Sequence, residues 1–517
     1  MKKVWKWFTL LICLSLPLYS AMEENQERME LSLKNCLLKA LENNLDIAVA
    51  EFDPQISDMS ISQAKEKYYP ELSMGYYTTK QVNPSTWGLE GLEAKTDQNY
   101  VTFDVRQSFV TGGSLSFNLF NQSTDTTRAF TQVNPSFYNR INLTFTQPLL
   151  KGFGPKISNY DIHQAENSKE ISVYGLKTTI QQKVLEVEDA YWNLVSQIES
   201  LKVRMQSLEQ NKREFEKAQE AARMGVKSAM DVIQRETEVA RLEDQVLNDQ
   251  NMIDTYEDRL KQLMNIRQDG PFIQKAIVPL DKPVFEENRV PFQQALDAAL
   301  SNRPDMASTL KQLENSDLSI GYYRNQFLPQ LDLELRLWSP GQSGVRDVYQ
   351  DNNPLTGIII DQITGSRWDS FLESIKRSER NWSINLNLTV PIANLFSRAG
   401  YVSAKLQKEK TQMEMERLRV QITNELIQVY KELENKSKRI KSTALYSKMA
   451  EKQLEAETQR YELGLVTSQW LVNYQSGLTS AKVEEIKAII AYKIALARLE
   501  KYMGTNLKTH NLKYRSF

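Results

Sequence analysis

Histidine is nearly absent from this sequence: His163 and His510 are the only two in 517 residues. They are too few and too scattered for a His-based metal or catalytic cluster. Cysteine is equally scarce, with Cys13 in the apolar N-terminus and Cys36 standing alone after it. A processed chain would therefore have no intrachain disulfide. Neither sign of charge is in excess, since 64 Lys and Arg face 65 Asp and Glu. Without a basic surplus to neutralise phosphates, nucleic acid is not a partner the composition suggests. No apolar run after the N-terminus approaches the ~18 residues of a membrane-spanning helix. Thiol, zinc and histidine chemistry all lose their usual residues. Length alone suggests about three domains of ~150 residues.

What is present begins at the N-terminus. Lys2, Lys3 and Lys6 precede an apolar stretch from Trp7 to Leu18, and Ser20 and Ala21 follow it. This is the layout of a secretory signal peptide over residues 1–21. Tyr19 makes the cleavage site imperfect, so an uncleaved anchor helix is the other reading. Ile12 before Cys13 does not suit lipoprotein processing.

The mature chain repeats itself. Residues 33–72 align without a gap onto 292–331, pairing Ala40-Leu41 with Ala299-Leu300, Asn43 with Asn302, Asp46 with Asp305 and Pro70 with Pro329. Residues 182–264 align likewise onto 421–503, pairing Tyr191 with Tyr430, Gly225 with Gly464 and Met264 with Met503. This gives two repeats, 22–265 and 291–504, joined by a linker at 266–290 and followed by a basic tail at 505–517.

Each repeat reads as helix, strands, very long helix, turn, helix. Val184, Val187, Tyr191, Leu194, Ile198, Leu201, Met205 and Leu208 alternate spacings of three and four, the seam of a coiled coil. Val239, Leu242, Val246, Ile253, Tyr256, Leu260 and Leu263 resume it after Gly225. The stretch 156–222 has no proline, so it predicts a rod of about 100 Å at the helical rise. The segment 228–265 and a helix around 31–67 are each about half as long. In the second repeat, 397–461 stands against 291–326 and 468–503.

The strand segments have a period of two. Leu331, Leu333, Leu335 and Leu337 alternate with Asp332, Glu334 and Arg336; Ile384, Leu386 and Leu388 alternate with Asn385 and Asn387. Ile141, Leu143 and Phe145 alternate with Asn142, Thr144 and Thr146, and Leu72, Met74 and Tyr76 do so more loosely. Barrel strands in a membrane alternate this way, and so do strands of a soluble antiparallel sheet. Four strands cannot close a barrel, and hydrocarbon does not tolerate an open edge. Either the sheet is soluble or three protomers pool twelve strands. Val101–Phe109 and Ser114–Asn121, joined through Gly112-Gly113, read as an extra hairpin that either enlarges the barrel or stands above it. Trp87, Tyr100, Trp338 and Trp382 flank strands where an interfacial aromatic girdle would lie.

In this order the segments resemble the TolC-like outer-membrane efflux proteins. The resemblance rests on Ala40-Leu-Glu-Asn-Asn with Ala299-Leu-Ser-Asn-Arg-Pro-Asp, Tyr69-Pro-Glu-Leu with Leu328-Pro-Gln-Leu, and Thr146-Gln-Pro-Leu-Leu-Lys-Gly with Thr389-Val-Pro-Ile. The turns Arg223-Met-Gly-Val-Lys-Ser-Ala-Met-Asp-Val and Tyr461-Glu-Leu-Gly-Leu-Val-Thr-Ser are its strongest elements. It spans nearly the whole mature chain.

The resemblance implies a mainly α fold with a membrane β-barrel part. Duplicated coiled-coil hairpins would form a trimeric α-barrel tunnel, continued by a barrel shared among three protomers. It implies a homotrimer in outer-membrane lipid with a periplasmic extension, a periplasmic adaptor protein and an inner-membrane pump as partners, and no cofactor or enzymatic activity. The duct would be passive, gated at its periplasmic tips and opened by docking. The docking turns would be Gly225, Val226 and Ser228 with Gly464, Leu465 and Thr467.

Physically, Gly225 and Gly464 suit a left-handed backbone, and Ser228 and Thr467 suit helix caps. By the same resemblance the gate comprises Lys227, Asp231, Tyr461, Trp470 and Asn473. Asp231 holds the family's acidic position, and three copies would form a negative ring favouring cations. Lys227 matches a basic residue that ties the closed tip in some members. Trp470 and Asn473 depart from the pattern by standing where acids are expected, which predicts an aromatic constriction with one acidic ring. The plainer reading of Asp231 is a solvated helix-start residue favoured by the macrodipole.

His163 near the start of a helix and His510 in the basic tail read as solvated, and the carboxylate pairs Glu186-Glu188 and Glu484-Glu485 read as exposed faces of charged helices. Gly152-Phe-Gly154-Pro lacks the spacing of a phosphate loop. Beside the efflux or type I secretion channel stand two other readings, a structural coiled-coil spacer of the periplasm or surface and an exported enzyme, for which no site is found.

Overall fold

The computed structural model describes residues 28–84, 93–128, 131–266, 275–287, 290–376, 381–390 and 395–512. The expected signal peptide, Trp87, part of the linker and the end of the tail lie outside them. The first repeat comprises β1 (Met29–Leu31), α1 (Leu33–Asn43), α2 (Leu45–Ala50), α3 (Phe52–Lys65), β2 (Glu71–Pro84), β3 (Glu93–Ser108), β4 (Ser114–Thr126), β5 (Ser136–Pro148), α4 (Pro155–Ser158), α5 (Tyr160–Arg223) and α6 (Ala229–Leu263). After β6 (Ile277–Pro279) come α7 (Phe292–Asn302), α8 (Pro304–Asn325), β7 (Gln330–Tyr349), β8 (Ile359–Thr364), α9 (Arg367–Lys376), β9 (Asn381–Thr389), α10 (Leu395–Glu462), α11 (Ser468–Tyr502) and α12 (Asn506–Thr509). The long rods are present as the proline-free stretches predict; α5 has 64 residues and α10 has 68, each about 100 Å at 1.5 Å per residue.

The expected helix over 31–67 is broken after Asn43, and its repeat partner is broken after Asn302. At the second break Arg303 is extended, with φ −69° and ψ 127°, because the ring of Pro304 disfavours helical torsions in the residue before it. At the first break Asn44 takes nearly the same torsions, φ −65° and ψ 125°, with no proline after it. Its side chain instead donates to the Leu263 carbonyl at 2.7 Å. Glu51 keeps helical torsions, so α2 and α3 form one rod interrupted only where Pro54 lacks its amide proton.

The chain divides into two compact units, each drawn from both repeats. One comprises Met1–Asn44, Lys183–Asn288 and Glu432–Arg498. Here the seam residues Val184, Val187, Tyr191 and Leu194 are buried, as are Leu242, Val246, Leu260 and Leu263. Farther along α5 the seam loosens, with Ile198, Leu201 and Leu208 half-buried and Met205 exposed. The strands β1 and β6 pair in parallel, Met29 opposite Ile277. Asp281 beside them accepts from the Leu33 amide and the Tyr191 hydroxyl, each at 2.7 Å. Burial raises the Tyr191 phenol, reinforced by that carboxylate. Cys36 is fully buried nearby, and burial pushes its thiol up to about 12.

The other unit comprises Leu45–Gln182, Arg289–Lys431 and Leu499–Phe517 and carries an antiparallel sheet in the order β2-β3-β4-β5-β7-β8. β7 pairs β9 along Gln330–Trp338 and β8 along Val345–Tyr349. Six strands, β2-β3-β4-β5-β7-β9, therefore lie side by side, four that the alternation marked and two from the hairpin. The hairpin that the sequence left in two positions is part of the sheet. Its turn is fixed by close approach: Gly112 has φ 91°, and a Cβ there would meet the Gly152 carbonyl at 2.3 Å.

The registers carry the alternation across all six strands. Leu72, Val105, Phe117, Leu143, Leu337 and Trp382 form one row of opposed residues. The next row is Glu71, Arg106, Ser116, Thr144, Arg336 and Ser383. One face is thus apolar and the other polar. The aromatic girdle is corrected with it. Trp382 lies in the apolar row, but Trp338 stands opposite Asn142 and Asn381, in a polar one. Tyr100, stacked on Tyr77 with ring centroids 4.6 Å apart, also sits on the polar face. A helix not foreseen, α9, packs on β7 where Gly341 leaves room; a Cβ at Gly341 would lie 2.1 Å from the Ser370 carbonyl. The Glu373 carboxylate accepts from the Gln342 amide at 2.8 Å.

Candidate gate and docking tip

Two interhelical turns with the same backbone solution build the tip. The helix α5 ends where Gly225, at φ 77°, donates to Ala222 at 3.0 Å and Val226 donates to Ala221 at 2.9 Å. At the end of α10, Gly464, at φ 71°, donates to Tyr461 at 3.0 Å and Leu465 donates to Arg460 at 2.9 Å. Both are Schellman closures, in which a left-handed residue turns two amides back onto otherwise orphaned carbonyls. A Cβ at either glycine would meet nothing within 4 Å. The torsion, rather than space, calls for glycine.

Ser228 caps α6. Its Oγ accepts from the Asp231 amide at 3.2 Å, and the Asp231 carboxylate accepts from the Ser228 amide at 3.3 Å and hydroxyl at 2.8 Å. This reciprocal capping box satisfies two donors at the helix start. Asp231 therefore holds a local structural bond and is half-buried. Thr467 stands immediately before α11.

Lys227 and Tyr461 are brought together, the ammonium donating to the phenolic oxygen, so the first turn is tied to the end of α10. Trp470 is exposed on the first turns of α11 and stacks on Tyr474, centroids 6.0 Å apart. Asn473 is exposed one turn on and accepts from Gln469 at 3.1 Å. Neither has a bond to Lys227 or Asp231 among the described residues.

A central member escaped the sequence reading. Arg235 on α6 is 1% exposed. Its Nε donates to Ser468 Oγ at 2.9 Å and its Nη1 to Gln475 Oε1 at 3.1 Å. The Tyr461 ring lies 6.0 Å from its guanidinium carbon, and its Nη2 has no partner among the described residues. These partners are all neutral. The signal was present: Arg235, Glu238, Leu242, Val246 and Asp249 share the buried stripe of α6 at spacings of three and four. A charge on a seam marks a specific polar contact rather than solvent. Glu238, one turn on, is matched by Arg241 at 2.5 and 2.8 Å.

Between these bonds the turns present apolar side chains to solvent. Met224, Val226, Leu463 and Leu465 are exposed, Val226 and Leu463 to 76% and 75%. Polar bonds inside and apolar residues outside make a surface suited to being covered.

Comparison with known proteins fits this geometry. The sequence profile described as Outer membrane efflux protein matches residues 114–265 and 295–505, most of both repeats. No curated protein matches significantly. Among solved structures, the outer-membrane channel OprN superposes with a TM-score of 0.64 at 15% identity, covering 92% of this chain and 90% of that one. The Campylobacter jejuni CmeC outer membrane channel gives 0.61 at 15% identity, covering 92% and 86%. The Neisseria gonorrhoeae MtrE outer membrane channel, solved in its open state, gives 0.61 at 17% identity, covering 92% and 89%. The chain therefore belongs to the outer membrane efflux protein family, as a non-enzymatic outer-membrane efflux channel with a periplasmic helical extension.

Proposed function

We propose that three copies of this chain form a passive duct, closed at the α5–α6 and α10–α11 turns and opened when a periplasmic adaptor carrying an inner-membrane pump docks there. The observation that carries the reading is the tie between the two turns. The bonds Lys227–Tyr461 and Arg235–Ser468–Gln475 hold them with neutral acceptors only. A buried guanidinium whose hydrogen bonds among the described residues go only to neutral groups keeps a desolvation cost of several kcal/mol, which hydration on opening relieves. The closed tip is thus held by a few bonds against a stored cost.

The exposed Val226 and Leu465 are the docking contacts, and Asp231 supplies the acidic ring. Trp470 and Asn473 complete the constriction. The test is conductance in planar bilayers. Tyr461→Phe, which removes the phenolic acceptor, is expected to raise conductance several-fold. Asp231→Asn is expected to lower cation selectivity, and Asp231→Glu to retain it. Photo-crosslinkers at Val226 and Leu465 are expected to trap one adaptor protein. Unchanged conductance and selectivity in these variants would overturn the gate, and capture of no periplasmic protein would overturn the docking.

A further inference from the structure

We propose that the membrane barrel of this channel has eighteen strands, six from each of three copies. Each seam would join β9 and α10 of one copy to β2 and the α2–α3 rod of the next. The inference rests on the trimer proposed above and goes beyond it in strand number, seam and bore.

The first argument is the unbroken row. Val105 and Phe117, on β3 and β4, stand between Leu72 and Leu143 in a line of apolar residues spanning all six strands. The polar line beside it, through Arg106 and Ser116, is equally continuous. A hairpin lying above the membrane has no reason to keep the lipid-and-water alternation of its neighbours in register. β3 and β4 are therefore wall strands.

The second argument is the edges. Among the described residues, β2 pairs only with β3, and β9 only with β7. Each presents an unpaired ladder beside exposed apolar side chains, Leu72 and Met74 on β2 and Ile384, Leu386 and Leu388 on β9. Unpaired backbone groups are not tolerated in hydrocarbon. The strands alternate in direction along the sheet, so β2 and β9, first and sixth, run oppositely. An even number is what lets identical copies close with antiparallel seams.

The helices flanking those two edges give independent support. The rod leading into β2 exposes Leu45, Val49, Phe52, Ile56 and Met59, at spacings of four, three, four and three. That is a coiled-coil stripe left uncovered by the described residues. The rod leaving β9 exposes Leu406, Met413 and Val420 at heptad spacing. Each stripe is on a helix next in sequence to an open-edged strand, and in the proposed trimer one neighbouring copy covers strand and helix together. A second copy of this chain is the occupant that carries both complementary flanks.

Barrel diameter grows about linearly with strand number, and barrels of 16–18 strands leave an aqueous channel. Eighteen strands make a wall about half as wide again as twelve.

The test uses the full-length channel in isolated outer membranes, with Cys36→Ala as background. Cysteine pairs Met74→Cys with Phe103→Cys and Leu119→Cys with Ile141→Cys report β2–β3 and β4–β5. Cysteines at 72, 74 or 76 paired with 141 or 143 report a direct β2–β5 contact, as a twelve-stranded wall would require. Cysteines at 72, 74 or 76 paired with 384, 386 or 388 report the seam. Oxidation is expected to link the first two pairs, to leave β2–β5 unlinked, and to give a covalent trimer from the seam set. A β2–β5 link, or a seam set that yields no covalent oligomer, overturns the proposal. Native mass separates this from the reading beneath it. Three copies with a β2–β5 link leave the trimer standing and remove the eighteen strands, whereas any other copy number removes the trimer itself.

Discussion

Gly225 and Gly464 occupy equal places in the two repeats, and both stand at positive φ with open space where a Cβ would go. Two different losses can follow a glycine substitution, a clash or a strained torsion, and here only the second operates. Gly225→Ala and Gly464→Ala are each expected to destabilise their turn by about 1 kcal/mol. Asn, which enters the left-handed region more readily, should recover part of that. Limited proteolysis at the tip, read as cleavage rate, checks the order Gly, Asn, Ala; equal rates for Asn and Ala would contradict it. Gly112 provides the contrast, because its Cβ would strike the Gly152 carbonyl, and no replacement there is mild. Sequence alone located all three glycines at turns. It did not distinguish the torsional pair from the packed one, since that depends on residues from a distant part of the chain.

At the scale of elements, the break between α7 and α8 shows how a local rule becomes a packing device. Pro304 sets Arg303 extended, and the Arg303 guanidinium then reaches Glu425 on α10 at 2.7 Å and Asp305 at 2.7 Å. Burial lowers the guanidinium pKa, and the two carboxylates more than compensate, so Arg303 is raised and stays charged. Burial lowers the ammonium of Lys501, reinforced by the nearby guanidinium of Arg303. Removing one partner of a fully buried pair costs about 3–5 kcal/mol; Glu425 is 22% exposed, which reduces the expected loss for Arg303→Ala to about 2–3 kcal/mol. Denaturant titration of the detergent-solubilised channel measures it. The loss should shrink in an Arg303→Ala, Glu425→Gln double variant, in which no carboxylate is left unpaired at 425.

The same scale shows what was legible. Proline-free heptads marked the rods, and period-two alternation marked β5, β7 and β9. The paired helix breaks were not readable, because Asn44 achieves with a tertiary hydrogen bond what Pro304 achieves with its ring. Arg235 was passed over because surface charge is the commoner fate of an arginine, although its seam spacing was visible. The strands β3 and β4 were legible as a hairpin but not as part of the wall, because Tyr100 and Phe120 place aromatic rings on the polar face and blur their alternation.

For the molecule as a whole, composition first argued only by exclusion, and the structure now shows where its apolar residues are used. They form narrow seams, and two of those seams stay exposed among the described residues of one chain. Ile56 and Met413 are both mostly exposed on such stripes, so neither substitution disturbs a buried contact within the single chain. In a coiled-coil seam a fully buried aliphatic side chain contributes about 1.5–3 kcal/mol. A trimer contains three copies of each seam, so one substitution acts three times. Ile56→Glu and Met413→Glu are therefore expected to lower the trimer fraction in detergent to a similar extent, while far-ultraviolet circular dichroism shows the helices retained. Leu37→Glu is the informative contrast. Leu37 is fully buried within its own chain, and its replacement should unfold helix before it separates copies. If Ile56→Glu instead melts helix while the remaining folded protein stays trimeric, its stripe faces its own chain. The flank assigned to β2 and the α2–α3 rod would then lose its helical half.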